Sequence, residues 1–258
     1  MALISIIGLP RSGTTLLGRV LSSASDVEYF EEPNPMWRYR NWQRLGHEQF
    51  LREHATPQVR QHIRNYLVPA RPRARHIVEK TPSNCLRVGF VEAVVPEARL
   101  IFITRNPEDV RRSMLRKWRS GSDSNAARLG DEGPFRELRG KLAKFRFVHR
   151  REMPRYIGAE IGARWKAARH GHSDFWGPQF EGWQAYKGKD PQEVVDASCA
   201  RMEQTLAEGI AACTNRHVVM SYEDLVAQPR QVLAEAMERL DCTDLDLSQG
   251  LRFFEKGK

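Results

Sequence analysis

A glycine-rich turn near the amino end constrains the fold more than any other stretch. It follows Leu3, Ile4, Ile6 and Ile7, a short segment rich in β-branched side chains, as is typical of a strand buried on both faces. After the turn, Leu16, Leu17, Val20 and Leu21 recur at the spacing of a helix face. The turn therefore lies between a strand and a helix N-terminus, where unpaired backbone N–H groups and the helix dipole form an anion site.

The spacing of the turn narrows the choice of anion. Gly8 and Gly13 have the G-x-x-x-x-G spacing of a Walker A loop, but Thr14 stands where that motif has lysine. In ATP-using enzymes this lysine reaches the β- and γ-phosphates, and the next hydroxyl holds magnesium. Here the basic residue is Arg11, inside the turn. The sequence thus favours a group without a γ-phosphate and gives no reason to require a metal.

The length and charge of the chain limit the number of domains and the kind of ligand that it can have. A chain of 258 residues can bury a full core, as one large domain or two small ones. The formal charge of +9 indicates an anionic ligand or partner. Nucleic acid is one such partner, but the basic residues are spread along the chain and no DNA- or RNA-binding motif is recognisable. We therefore expect no nucleic acid.

Cysteine usage and hydropathy predict the compartment. The four cysteines lie far apart and form no C-x-x-C pair, at Cys85, Cys199, Cys213 and Cys242. This pattern is typical of a reducing compartment, without a disulfide framework or metal cluster. The apolar start lacks the basic region of a signal peptide, and no apolar run reaches the ~18 residues of a membrane span. The expectation is a cytoplasmic protein without membrane association; the oligomeric state stays open.

Strand-like and helix-like patterns alternate along the chain. The predicted strands are 3–7, 26–30, 76–80, 99–105 and 217–222. The predicted helices are 49–67 with a break at Pro57, 86–95, 190–212, 230–240, and one beginning at Asn106-Pro107, where proline and acids are typical of a helix start. This alternation predicts an α/β fold, with a parallel sheet and helices on both faces. No internal repeat or boundary divides it, so residues 1–258 are expected to form one domain.

Charged or aromatic residues follow each predicted strand. In chain order they are Arg11, the pair Glu31 and Glu32, Lys80, Arg105 and Tyr222. Because ligands of parallel sheets collect at the carboxyl ends of the strands, we expect these side chains to converge on one edge, the rim. A lysine at the end of a buried strand is unfavourable without an anionic partner. A solvated acidic turn is the alternative interpretation of residues 31–35.

Three of these motifs resemble sulfotransferases that use 3′-phosphoadenosine 5′-phosphosulfate (PAPS). Residues 10–15 resemble the loop that binds the 5′-phosphosulfate, and Arg105 with Ser113 resembles the 3′-phosphate signature. The string from Tyr222 to Pro229 resembles the segment near the adenine. The resemblance covers 4–35, 76–117 and 217–229. It implies a donor site made of Pro10, Arg11, Ser12, Gly13, Thr14, Thr15, Arg105, Ser113 and Tyr222.

The resemblance also implies a reaction. The sulfuryl group of PAPS would pass in line to an acceptor hydroxyl or amine, leaving adenosine 3′,5′-bisphosphate (PAP), without a metal. Lys80 and Arg11 would neutralise charge on the leaving phosphate. Cytosolic sulfotransferases carry a histidine base after the third strand, where this chain has Thr81-Pro82.

The catalytic positions are more similar to those of tyrosylprotein and bacterial sulfotransferases. The spacing from Arg11 to Glu32, together with Lys80, resembles their motif, which implies Glu32 as the general base. Glu31 is the second choice. Adjacent residues at a strand end are expected to point in different directions, so that at most one of the two faces the acceptor.

The middle and the tail are less regular. Residues 118–188 alternate glycine, basic residues and aromatics, which favours an acceptor-binding or lid insertion, with core aromatics as the alternative. His170 and His172 lack a third metal ligand. The tail, 252–258, weakly resembles a basic loop that closes over the 3′-phosphate. The acceptor stays open among a small metabolite, a carbohydrate, a lipid and a peptide tyrosine.

Two other classes of protein remain as alternatives. A kinase of the same fold needs the absent lysine and an acidic metal ligand, and is tested by its preference for ATP–magnesium over PAP. A nucleic-acid-binding module would account for the charge of +9 and should show a steep salt dependence of binding.

Overall fold

A parallel sheet forms the centre of the molecule. The computed structural model describes residues 2–70, 73–120, 145–149, 152–154, 157–158 and 175–255. The strands are β1 (Ala2–Ile7), β2 (Val27–Glu31), β3 (His76–Lys80), β4 (Arg99–Thr104) and β5 (His217–Ser221). All pairs are parallel, in the order β2-β3-β1-β4-β5. The predicted α/β fold is confirmed.

Helices connect the strands. They are α1 (Thr14–Leu21), α2 (Asn34–Arg38), α3 (Asn41–Leu45), α4 (Pro57–Leu67), α5 (Val88–Val94), α6 (Pro107–Ser120), α7 (Pro191–Ala211), α8 (Tyr222–Ala227), α9 (Pro229–Arg239) and α10 (Ser248–Glu255). Short 3-10 turns occur at Arg52–His54, Pro82–Leu86, Phe145–Phe147 and Trp183–Tyr186.

The apolar run of β1 is explained by cores on both faces of the sheet. Leu3 and Ile7 point into a core shared with α2, α4, α5, α6 and α7, whereas Ile4 and Ile6 point into a second core shared with α1 and α9. Successive strand residues face opposite sides, so a central strand covered by helices on both faces has no polar side. The predicted placement of helices on both faces is therefore confirmed.

Some predicted boundaries were wrong. Before Pro57, the predicted helical stretch 49–67 forms only the 3-10 turn Arg52–His54. The predicted break at Pro57 is confirmed, because α4 begins there, with the Thr56 hydroxyl accepting a hydrogen bond from the Val59 N–H. The segment between β5 and the predicted helix 230–240 forms α8, capped by Ser221.

The lid prediction for the tail is wrong for residues 252–255. They belong to α10, whose Leu251 and Phe254 pack against the second core. A Cβ on Gly250 would lie 2.6 Å from the carbonyl oxygen of Val20, so glycine permits close contact with the C-terminal end of α1. That end is opposite the glycine-rich turn. Residues 256–258 lie outside the described residues.

The described parts of the 118–188 segment supply core aromatics. Phe147 and Phe180 are each 3% exposed. The Phe147 ring lies 5.4 Å from that of Phe30 on β2, and the Phe180 ring lies 5.6 Å from that of Tyr186. Most of this segment is outside the described residues, so its acceptor-binding role stays a prediction.

A buried ion pair network fixes α2 against the rest of the fold. Glu48 is 1% exposed, and its carboxylate accepts a hydrogen bond from Arg38 Nε at 3.0 Å. Arg87 Nη1 lies 3.8 Å from Glu48 Oε1, and the Gln179 N–H donates to Glu48 Oε2 at 3.2 Å. Burial alone would raise the pKa of Glu48, but the Arg38 and Arg87 guanidiniums and these hydrogen bonds lower it to about 2.

We expect this network to make unfolding strongly dependent on acid. The pKa of Glu48 is lower in the folded protein than in the unfolded chain, so its contribution is complete above pH 4.5 and is lost as the pH falls toward 2. Glu48→Gln should lower the free energy of unfolding by about 3 kcal/mol at pH 7, since it leaves the buried Arg87 without a countercharge. Urea denaturation of both proteins between pH 2 and pH 7 measures this.

The matched control is Glu97→Gln, which breaks a half-exposed pair with Arg64. It should change the free energy of unfolding by less than about 1 kcal/mol. Equal losses for the two variants would contradict the assignment.

Candidate active site

The glycine-rich turn has the backbone shape of an anion cradle. Arg11 and Gly13 both have positive φ, at 70° and 100°. A Cβ on Gly8 would lie 2.5 Å from the carbonyl oxygen of Ile103, so only glycine lets the turn pack against β4. The N–H and the hydroxyl of Ser12 both donate to the Leu9 carbonyl, at 3.1 and 2.8 Å. In this structure Ser12 therefore holds the turn closed.

The turn leads directly into α1. Gly13 is the residue before the helix and offers no side chain to cap it. The first turn of a helix leaves backbone N–H groups without acceptors inside the helix. In α1 these include the backbone N–H groups of Thr14 and Thr15, at the positive end of the helix dipole. Such a helix start favours the binding of a phosphate or sulfate group.

Lys80 is the last residue of β3, at the rim, and is completely buried. Its Nζ lies 2.9 Å from Glu32 Oε1 and 3.5 Å from Glu31 Oε1. It also donates to Thr15 Oγ1 at 3.2 Å. The buried lysine thus has the anionic partners that its burial requires, and it links the first turn of α1 to the acidic pair.

Both carboxylates reach this lysine because of the backbone at Glu32. Glu31 is paired with Lys80 in the register of β2 and β3. Glu32 follows with φ of 50°, a left-handed conformation, and its N–H donates to the Lys80 carbonyl at 2.7 Å. This turn brings its carboxylate to the face that Glu31 uses. The expectation that adjacent carboxylates point in different directions was wrong.

At the other end of the rim, Arg105 and Arg11 lie together and form what we call the arginine corner. Arg105 Nη1 donates to the Arg11 carbonyl at 3.0 Å, and its guanidinium lies 4.5 Å from the centre of the Tyr222 ring. Within the described part of the chain, the buried Nε of Arg105 has no hydrogen-bond partner. Arg11 Nε donates to Ser113 Oγ at 3.1 Å. The corner therefore joins the glycine-rich turn to α6.

The start of α6 positions Ser113 as the sequence predicts. Asn106 Oδ1 accepts hydrogen bonds from the N–H groups of Glu108 and Asp109, at 2.9 and 3.4 Å. This cap starts the helix directly after Arg105. Ser113 then lies two turns along, on the side that faces Arg11.

A comparison with protein-family models decides the family. The model described as Sulfotransferase family matches residues 4–159, more than half of the chain. The protein belongs to the sulfotransferase family. The protein is therefore an enzyme, and the family activity is sulfuryl transfer.

Solved structures of other sulfotransferases are similar to this one at low sequence identity. The sulfotransferase domain from the curacin biosynthetic pathway is 15% identical with a TM-score of 0.48, over 93% of this chain and 74% of that one. The sulfotransferase from Alicyclobacillus acidocaldarius is 15% identical with a TM-score of 0.46, over 96% and 85%. Mouse sulfotransferase SULT7A1, complexed with PAP, is 12% identical with a TM-score of 0.46, over 98% and 64%. No curated protein matches.

The described residues of this sulfotransferase bring most of the predicted site together. Arg11, Glu32, Lys80, Arg105, Ser113 and Tyr222 form the connected set described above, together with Gly13 and Thr15. A Cβ on Gly13 would lie 2.3 Å from Tyr222 Cδ2, so glycine admits the tyrosine ring. Pro10 and Thr14 are buried in the turn and the first turn of α1.

The sequence predicted neither a metal site nor a membrane span. The described residues hold no cluster of three or more histidine, cysteine, aspartate or glutamate side chains that could bind a metal ion. His170 and His172 lie outside them. Among the described helices, none is both long and apolar enough to cross a bilayer.

Next to the rim, sequence reasoning missed the buried carboxylate of Glu79. It lies on the face of β3 opposite Lys80 and accepts hydrogen bonds from Ser5, Trp37, Thr81 and Asn84. The available signal was an acidic residue in the middle of a buried strand, His76–Lys80, which needs hydrogen-bond donors from elsewhere in the fold.

Proposed function

We propose that this sulfotransferase transfers the sulfuryl group of PAPS to an acceptor hydroxyl or amine at the rim. The observation that carries the proposal is the position of Lys80. Its ammonium is fully buried between Thr15, at the anion-binding end of α1, and Glu32, a carboxylate able to take a proton. An ammonium group at this position would contact the sulfuryl donor on the Thr15 side and lie beside the acceptor on the Glu32 side.

The donor has two anionic ends, and the rim offers two sites for them. The turn 8–13 and the first turn of α1 would hold the 5′-phosphosulfate through backbone N–H groups. Arg105 and Ser113 would hold the 3′-phosphate, and the orphaned Nε of Arg105 supports this because a buried donor calls for an acceptor. Tyr222, stacked on Arg105, would lie beside the adenine.

The reaction follows from the same groups. The acceptor oxygen or nitrogen attacks sulfur, the bond from sulfur to the bridging oxygen breaks, and PAP leaves with the electron pair. Lys80 and Arg11 stabilise the negative charge that develops on this oxygen. Glu32 takes the acceptor proton; Glu31, 46% exposed and also beside Lys80, is the alternative base.

The transfer is tested directly with labelled PAPS. The protein is incubated with excess EDTA and four acceptors: a phenol, a sugar, a long-chain alcohol and a tyrosine peptide. We expect label to reach at least one acceptor with stoichiometric release of PAP. Loss of all activity in EDTA, restored by magnesium, would contradict the metal-independent mechanism. The cytoplasmic location inferred from the cysteine pattern is part of the same proposal.

Arg105→Ala should weaken binding of PAP far more than that of adenosine 5′-monophosphate. A charge-assisted hydrogen bond contributes about 1.5–3 kcal/mol, so we expect a loss of roughly 10- to 100-fold for PAP. Ser113→Ala should give a smaller loss in the same direction. Calorimetric titration of each variant with both nucleotides measures the ratio.

Arg112→Ala is the matched control, because Arg112 is an exposed neighbour on α6 that pairs with Asp109. It should leave both affinities nearly unchanged. If Arg105→Ala lost affinity equally for both nucleotides, this arginine would not bind the 3′-phosphate.

A further inference from the structure

Glu79 is a completely buried carboxylate with four hydrogen-bond donors. Trp37 Nε1 donates to Oε1 at 2.9 Å, and the Thr81 hydroxyl donates to the same oxygen at 2.5 Å. The Ser5 hydroxyl donates to Oε2 at 2.7 Å, and Asn84 Nδ2 donates at 3.3 Å. A carboxylate has about four acceptor positions, so this one is saturated.

Two of these donors have a fixed direction. The indole N–H of Trp37 can only donate. Asn84 is oriented by Arg87, whose Nε donates to Asn84 Oδ1 at 2.9 Å and so turns the amide N–H groups toward Glu79. The hydroxyls of Ser5 and Thr81 can rotate, but the indole and the amide require an acceptor where Glu79 provides one.

Three of the four donors also belong to segments next to the reacting groups; Ser5, on β1, does not. Trp37 lies on α2, which begins two residues after Glu32. Thr81 and Asn84 lie in the segment directly after Lys80. Glu79 itself precedes Lys80 on β3, and because successive strand residues face opposite sides, its carboxylate lies on the other face of the sheet from the ammonium.

We propose that Glu79 is the positioning residue for the Glu32–Lys80 pair. Through Trp37 it holds α2, and through Thr81 and Asn84 it holds residues 81–84. A single carboxylate thereby keeps the two segments in one arrangement. The Glu32 carboxylate and the Lys80 ammonium are then held 2.9 Å apart. This inference rests on the proposed function, in which these two groups react.

The test is Glu79→Gln, which keeps the shape of the side chain but replaces one acceptor oxygen by a donor. Either Trp37 or Asn84 then faces an N–H group, and its segment must shift. We expect kcat to fall at least 10-fold with the best acceptor of the panel, while the affinity for PAP changes less than 3-fold. In a crystal structure the distance from Lys80 Nζ to Glu32 Oε1 should exceed 4 Å.

Two control variants separate positioning from stability. Glu92 is another buried carboxylate, but its donors lie away from α2 and from residues 81–84. They are Arg52, in the turn before α4, and the N–H groups of Thr214 and Asn215, just before β5. Glu92→Gln should lower the urea midpoint and leave kcat unchanged. Ser5→Ala removes a donor to Glu79 from β1 alone, and should keep kcat within 3-fold of wild type.

Trp37→Phe completes the set, because it removes only the link to α2 and should lower kcat. If Glu79→Gln does not fold, the kcat values of Trp37→Phe and Ser5→Ala test the proposal instead. Equal kcat values for these two variants would overturn it. A kcat for Glu79→Gln no lower than that of Glu92→Gln would overturn it as well. If the wild type transfers no sulfuryl group, the proposed function fails, while the crystallographic distance still decides the role of Glu79.

Discussion

Glu32→Gln is expected to lower kcat by about 10²–10⁴-fold, the usual contribution of a general base, with donor affinity within 3-fold of wild type. Glutamine keeps the shape of the side chain and can still accept the hydrogen bond that Lys80 donates at 2.9 Å. It cannot take a proton from the acceptor. Initial rates with labelled PAPS, together with calorimetry for PAP, separate the loss of the chemical step from a loss of binding.

Glu31→Gln is the matched control, since Glu31 lies beside the same ammonium at 3.5 Å. It should lower kcat much less. Wild-type turnover in Glu32→Gln would contradict the assignment. The base would then be sought at Glu31 first, and next among the histidines of residues 118–188.

Lys80→Met should have an effect of similar size. Methionine fills much of the buried volume but removes the cation that would stabilise the leaving phosphate, so we expect kcat to fall by about 10²–10³-fold. It also leaves two carboxylates together at the rim without their common partner. Initial rates over a range of PAPS concentrations give kcat separately from the KM for PAPS.

Lys189→Met provides the control for this variant. Lys189 is exposed, precedes α7, and pairs with Glu193 in the first turn of that helix, remote in sequence from the rim motifs. Its loss should leave kcat unchanged. A Lys80→Met enzyme that keeps more than a tenth of the wild-type kcat would show that the buried ammonium is not needed for the chemical step.

The strands and the rim could be predicted because both depend on local pattern and topology. A central parallel strand is mostly apolar, and each predicted strand ends close to where it does in the structure. Once the strands are known to be parallel, their carboxyl ends share one edge. The contact of Lys80 with Thr15 and Glu32 follows from that rule, although these residues are 65 and 48 positions apart.

The details of the acidic pair could not be predicted. Their common contact with Lys80 depends on the left-handed backbone of Glu32, which the turn imposes and no periodicity reveals. The donors to Glu79 were hidden for a different reason: Ser5 and Trp37 are 74 and 42 residues away, on elements whose packing only the folded structure gives.

The tail shows the limit of a local resemblance. Its basic residues suggested a loop at the rim, but Leu251 and Phe254 direct the segment into the second core as a helix. The amphipathic pattern of residues 248–255 was short, and its packing surface, the C-terminal end of α1, is more than 220 residues earlier in the chain.

The central claim is that the rim binds PAPS through two anionic ends rather than a nucleoside triphosphate with magnesium. Calorimetric titration of the wild-type protein with PAP, and separately with ATP and magnesium, tests it most directly. We expect PAP to bind more tightly than ATP with magnesium, and Arg105→Ala to abolish most of the difference in affinity. Tighter binding of ATP–magnesium than of PAP would contradict the account and favour a kinase.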